Sequence, residues 1–485
     1  MIVKRFFEPS IAQSSYLIGC AQTGESIVID ANRDVEQYIN EATREGLRIT
    51  HVTETHIHAD YVSGSRELAQ RTGARLLLSD EGDSKWKYQF VSQEDNYQWL
   101  HDGDRIVIGR VNVDVLHTPG HTPEHLTFLI TDRAAADRPI AAVTGDFIFV
   151  GDVGRPDLLE RAAHHVGTME ASARTLWRSL QKFAGHDDWL QIWPGHGAGS
   201  ACGKGISAIP SSTLGYERRY NWAYRINNED EFVESVLAGQ PEPPTYFASM
   251  KRINKEGPAI LGDFQVPPRQ PDDTVSAALA SGALVVDTRP AAAYARGHLR
   301  GTVNIPLNAS FVSWAGWLIA PTADLYVIVA DETPAALTAL VRSLALIGID
   351  SLKGYFGELE IERAKVRGET LKTIEQVTPV ELSERLASLD ALVIDVRSAA
   401  EWAAGHLADA VHIPLGYLVD RIDSLPRSKT LVTQCQSGAR SAIAASLLEQ
   451  RGFDRILNLT GGFAQWRDAG FPIVKGADAA HAVSS

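Results

Sequence analysis

Short apolar runs separated by turn residues punctuate roughly the first 250 residues of the chain. Ser15-Tyr16-Leu17-Ile18 and Glu25-Ser26-Ile27-Val28-Ile29-Asp30 read as strands, and Asp34 to Gly46 follows with helical spacing. Further strand-like runs are Ile49–Thr53, Val113–Thr118, Ala141–Thr144 and Trp189–Ile192. Strand pairs alternating with helices predict two sheets sandwiched between helices, with chemistry on the loops at one edge.

The second half carries a repeat. Val286-Asp287-Thr288-Arg289 returns as Ile394-Asp395-Val396-Arg397, 108 positions later. The shift also relates Gly297-His298-Leu299 to Gly405-His406-Leu407, and Val303-Asn304-Ile305-Pro306 to Val411-His412-Ile413-Pro414. Each copy reads as a buried strand ending in Asp-x-Arg, a helix, a Gly-His-Leu turn, a short strand, then a third apolar strand and a helix. That order predicts an α/β domain with a parallel sheet. A Pro-rich polar stretch between Ala259 and Thr274 reads as a linker, and a second junction falls near Leu371 to Val377. The expected domains are therefore 1–258, 272–366 and 376–475, with 476–485 as a disordered tail.

At 485 residues, 44% hydrophobic and 22% charged, the composition is that of a multidomain globular chain. No run is apolar and long enough to span a bilayer, and Met1 to Gly19 lacks the pattern of a secretory signal, so a cytosolic protein is expected. A net charge of -14 without clustered Lys and Arg argues against a nucleic-acid partner. Cys20, Cys202 and Cys435 are few, odd in number and far apart, which predicts reduced thiols rather than a disulfide framework.

Candidate ligands follow four predicted strands: Thr55-His56-Ile57-His58-Ala59-Asp60-Tyr61, Pro119-Gly120-His121-Thr122, Gly145-Asp146 and Trp193-Pro194-Gly195-His196-Gly197. Imidazoles and carboxylates brought to one sheet edge make a metal centre, with glycines letting the backbone turn tightly beside the ion. Isolated histidines are more often surface or satisfied core residues; four such segments together are not. These residues resemble the metallo-β-lactamase superfamily, whose His-x-His-x-Asp-His signature runs here from His56 to Asp60 and is broken at Tyr61. The resemblance implies an αββα sandwich, and Tyr61 points to one ion in place of two.

Within that superfamily the persulfide dioxygenases carry a single iron, and the resemblance implies His56, His121 and Asp146 as its ligands. Two imidazoles and a carboxylate form the facial triad of non-haem Fe(II) oxygenases, open for dioxygen and a substrate sulfur. His58, Asp60, Tyr61 and His196 then orient the ligands. Asp152 competes with Asp146, which directly follows the buried strand. Gly154-Arg155-Pro156-Asp157 also resembles that branch, with Arg155 expected against the substrate; a capped helix start is the plainer reading. Cys202, in a Gly-rich loop beyond His196, is expected near the pocket, or else is a small buried side chain.

In the second repeat, strand Thr430–Gln434 runs into Cys435-Gln436-Ser437-Gly438-Ala439-Arg440-Ser441 and then a helical pattern. A thiol there faces backbone N–H groups and a helix N-terminus, with Arg440 adding positive charge, all of which favour thiolate. The stretch resembles the rhodanese active loop, which implies a cysteine persulfide that hands its sulfur to a nucleophile such as sulfite. In the first repeat Asp331-Glu332-Thr333-Pro334 stands opposite, without thiol, glycine or arginine, so a structural or docking role is expected.

The whole chain resembles persulfide dioxygenase–rhodanese fusions. That implies an α/β multidomain enzyme with one Fe(II) on His56, His121 and Asp146. It would oxidise a small-thiol persulfide with O2 to sulfite, coupled through Cys435 and Arg440 to thiosulfate formation. The reverse flux, the identity of the thiol and homo-oligomerisation stay open. The rival readings are a two-metal thioester hydrolase like glyoxalase II and a noncatalytic sulfur carrier.

Overall fold

A computed structural model describes residues 1–93, 95–158, 167–386 and 390–476. The expected tail, apart from Gly476, lies outside the described residues. The chain forms two compact units, residues 1–264 with 342–348, and 265–341 with 349–485.

The first unit holds two six-stranded sheets. One runs in chain order: β1 (Ile2–Glu8), β2 (Gln13–Cys20), β3 (Glu25–Ile29), β4 (Arg48–Thr53), β5 (Arg75–Ser79) and β6 (Tyr97–Leu100). The other is built from β7 (Arg105–Ile108), β8 (Val111–His117), β9 (Leu126–Asp132), β10 (Ala141–Gly145), β11 (Gln191–Pro194) and β12 (Ser212–Thr213). Alternation along each strand sorts side chains between layers. Tyr16 and Ile18 of β2 join Val113 and Val115 of β8 in the core between the sheets. Leu17 faces the other way, packing with Tyr38 and Leu68 from helices Glu36–Arg44 and Ser65–Thr72. On the far side, Ala142 of β10 packs against Leu176 and Leu180 of the Met169–Phe183 helix. A sheet buried on both faces explains why β10 reads as an uninterrupted apolar run.

The second unit carries the repeats as two sheets. β13 (Leu284–Asp287), β14 (Val303–Asn304), β15 (Leu325–Val329) and β16 (Leu352–Gly357) stand in the order β14-β13-β15-β16, all parallel. β17 (Glu375–Val377), β18 (Ala391–Asp395), β19 (Val411–His412), β20 (Thr430–Gln434) and β21 (Ile456–Leu459) follow as β17-β21-β20-β18-β19, again parallel.

The repeated motif has a structural cause. Arg289 grips Asp287 and reaches the Gly297 carbonyl at 3.0 Å. Arg397 does the same with Asp395 and the Gly405 carbonyl at 2.7 Å. Each guanidinium thus ties a strand end to the Gly-His turn, and its buried charge is compensated in place.

Candidate functional site

The ends of β4, β8, β10 and β11 deliver His56, His121, Asp146 and His196 to one place, all buried. One donor atom each from His56, His121 and Asp146 falls within a 4.8 Å span. Both Asp146 carboxylate oxygens are buried without a hydrogen-bond partner, although His121 Nε2 lies 3.5 Å and His196 Nε2 3.3 Å away. Acceptors left bare in a dry cluster of imidazoles fit a cation bound among them. Burial and the surrounding imidazoles push His56 well below its usual pKa; burial lowers His121 despite Asp146. Neutral rings are what metal ligation requires.

The ring nitrogens are assigned by their partners. His121 Nδ1 donates to the Arg155 carbonyl at 3.0 Å, leaving Nε2 for the cluster. His56 Nδ1 lies 3.0 Å from Thr55 Oγ1, whose hydroxyl donates to Asp30 at 2.9 Å, so Nδ1 carries the proton and Nε2 is free. His58 turns away, its Nε2 3.0 Å from Asp30. Burial would lower its pKa, but Asp30 and Glu54 outweigh that and hold it up to about 9. Tyr61 is fully buried, receives Gln13 Nε2 at 3.4 Å and donates to the Asp30 carbonyl at 3.3 Å. Asp60, His196 and Cys202 make a second grouping, also within 4.8 Å. There burial, then Asp146 and Asp60, push the Cys202 thiol well up, so it holds its proton.

In the second unit, Cys435 follows β20 and is 1% exposed. Its Sγ accepts the Gly438 N–H at 3.1 Å and lies 3.5 Å from Ser441 Oγ. Gly438 takes φ +97°, which turns that N–H inward, and the Ala439–Gln450 helix starts directly after it. A Cβ on Gly462 would stand 2.2 Å from the Cys435 carbonyl oxygen, so that neighbouring turn must remain glycine for the loop to close. Arg440 forks onto Glu401 at 2.7 and 2.6 Å. In the first repeat Asp331 accepts the Thr333 N–H at 2.9 Å.

Residues 11–196 match the metallo-beta-lactamase superfamily, and residues 272–357 and 378–469 each match the rhodanese-like domain family. The chain belongs to the metallo-β-lactamase superfamily and carries two rhodanese-like domains. A crystal structure of a metallo-beta-lactamase from Staphylococcus aureus aligns over 74% of this chain and 99% of its own, at 40% identity and a TM-score of 0.66. The human mitochondrial persulfide dioxygenase is 30% identical over 204 residues, 40% of this chain and 68% of that protein. A hydroxyacylglutathione hydrolase from Nitrosococcus oceani is 31% identical over 270 residues, 50% of this chain and 94% of that one. Identity therefore does not separate an oxygenase from a hydrolase.

In the metallo-β-lactamase domain, Asp152 is spent elsewhere: its Oδ1 takes Trp222 Nε1 at 2.8 Å and its Oδ2 takes Gly205 N at 2.7 Å. Arg155 is fully buried, forked onto Asp157 at 2.7 Å, with Nη1 on the Ala201 carbonyl at 3.0 Å. Its contacts fix His121 and the Cys202 loop. Residues after Leu158, where a helix start would continue, lie outside those described as far as 166.

Sequence reasoning passed over His125 and Asp30. His125 Nε2 accepts the Asp146 N–H at 3.2 Å while its Nδ1 faces Thr118 Oγ1 at 2.9 Å. The spacing of His125 four residues after His121 was the available signal. Asp30, at φ +60°, takes Thr55 N at 2.7 Å besides Thr55 Oγ1 and His58. No motif marks it. No helix among the described residues is long and apolar enough to cross a membrane.

Proposed function

We propose that the metallo-β-lactamase domain is a mononuclear iron persulfide dioxygenase and that the last rhodanese domain is its sulfurtransferase partner. The observation that carries this reading is the donor set: His56, His121 and Asp146 converge, while His58 is tied to Asp30 and Tyr61 replaces a second-ion imidazole. Two imidazoles and one carboxylate suit Fe(II) and leave coordination positions open. Iron bound there would supply the redox chemistry between dioxygen and a persulfide sulfur. The likeness to the human persulfide dioxygenase supports the same assignment.

The protein's own part is orientation and exclusion of water. Arg155 and Thr55 fix the two imidazoles by their Nδ1 protons, and His125 holds the Asp146 backbone. Overall, one persulfide, one O2 and one water give thiol, sulfite and two protons, the sulfane sulfur losing four electrons to dioxygen. In the other domain, the Cys435 thiolate takes the outer sulfur of a second persulfide, and sulfite then removes it as thiosulfate. The Gly438 N–H and the start of the Ala439–Gln450 helix face the sulfur that would take part.

The Asp60, His196 and Cys202 grouping favours a second reading, a two-ion thioester hydrolase, and the Nitrosococcus relative is named a hydroxyacylglutathione hydrolase. Metal analysis with paired assays separates the two. One iron per chain, sulfite from glutathione persulfide in air and no cleavage of a hydroxyacylglutathione are expected. Two ions per chain with thioester cleavage would replace the oxygenase by the hydrolase.

A further inference from the structure

The Cys435 loop is not walled by its own domain alone. A cavity of about 390 Å³ is lined by Ser437 and Gly438 of the loop, Asn458 and Thr460 around the end of β21, and Ala292 and Arg296 of the middle repeat. Gly438 also donates to Cys435 Sγ, so cavity and thiol share a residue. The Ala291–Arg296 helix forms the opposing wall, and its run of alanines leaves the space open. That wall is held against the helix that begins at the loop. Asn304 N–H donates to Ser446 Oγ at 3.0 Å, and buried His298 Nε2 lies 3.6 Å from Glu449.

Two polar groups on the lining keep hydrogen-bonding capacity unused within the described residues. Arg296, exposed at the rim, has no hydrogen-bond or ion-pair partner among the described residues. Asn458 is 3% exposed; its Nδ2 donates to Gln376 at 2.8 Å, and its Oδ1 has no partner. A guanidinium presents a fork that suits a carboxylate, and a buried amide oxygen calls for an N–H donor. The volume belongs to the range of small-molecule sites and far exceeds a sulfite ion.

We propose that this cavity takes the body of a carboxylate-bearing peptide thiol persulfide, with Arg296 of the cysteine-free repeat reading the carboxylate. The middle domain is then a specificity wall for the Cys435 site and not only a spacer. The inference rests on Cys435 being a sulfur acceptor. The Cys435 thiolate attacks the outer sulfur of the persulfide and the inner S–S bond breaks. The small thiol leaves with the bonding pair and takes the proton of the outer sulfur, and Cys435 is left as a persulfide. Sulfite then attacks that outer sulfur, releasing thiosulfate and the thiolate, with no other oxidant or reductant.

The test is thiosulfate formation by the full-length protein without dioxygen, with sulfite added and glutathione persulfide or cysteamine persulfide as donor. For glutathione persulfide, Arg296→Gln is expected to raise KM roughly fivefold, the scale of one exposed ionic contact, with kcat nearly unchanged. Arg296→Glu should raise it further and Arg296→Lys should restore part of the loss. KM for cysteamine persulfide, which has no carboxylate, should not rise in any of the three. Unchanged KM for glutathione persulfide in both Arg296→Gln and Arg296→Glu overturns the proposal, as does an equal rise for both donors. If Cys435→Ser forms thiosulfate as fast as wild type, the sulfurtransferase reading itself fails, and this inference with it.

Discussion

At the scale of the residue, the proposed metal site depends on groups outside the His56, His121 and Asp146 set. His125 is the sharpest case: its Nε2 lone pair is spent on the backbone N–H of Asp146. His125→Phe would leave that buried N–H without a partner and release the carboxylate from its angle. Metal affinity is expected to fall about 10- to 100-fold, measured by competition with a chelator, with the fold retained. Unchanged affinity would mean that Asp146 is placed by β10 alone. The proposed ligands were legible as candidates because each follows an apolar strand, and His56 opens a His-x-His whose second member, His58, the fold ties to Asp30. Asp30 was not, because a lone acidic residue after a strand looks like any turn. Only the folded backbone shows it meeting Thr55 and His58 from a left-handed conformation.

At the scale of the element, the Asp-x-Arg motif and the loop before the Ala439–Gln450 helix do different work. Asp395 and Arg397 are 0% and 1% exposed, so Arg397→Ala strands a buried carboxylate. A loss of about 3–5 kcal/mol in the last domain is expected, read by denaturant unfolding. Arg440 and Glu401 make a half-buried pair, and here pH is the probe. Burial works against the Glu401 charge, but Arg440 and the Ser398 contacts outweigh it and lower its pKa to about 2. A depressed carboxyl pKa stabilises the fold above the unfolded value near 4.5 and loses that stabilisation as pH falls toward 2. Acid unfolding of wild type should therefore lose about 1 kcal/mol across that window that Glu401→Gln does not lose, the partial exposure of both groups keeping the figure small. The motif was legible as a repeat, since a 108-residue register survives in the sequence. Its role as a clamp was not, because the partner carbonyls of Gly297 and Gly405 carry no side-chain signal.

At the scale of the whole molecule, the His56, His121 and Asp146 grouping and the Cys435 loop belong to separate compact units. The chemistry should be separable by mutation: loss of either site should leave the other active. The layered sheets and the parallel repeats were legible because binary pattern and repeat register both survive in one sequence. The cavity beside Cys435 was not, because its lining comes from two repeats whose packing against each other has no one-dimensional trace. The most direct measurement is dioxygen uptake by the iron-loaded protein with glutathione persulfide. Wild type and Cys435→Ser should consume oxygen at similar rates, and His121→Ala should lose nearly all of it. Undiminished uptake in His121→Ala, or none in iron-loaded wild type, would contradict an oxygenase built on His56, His121 and Asp146.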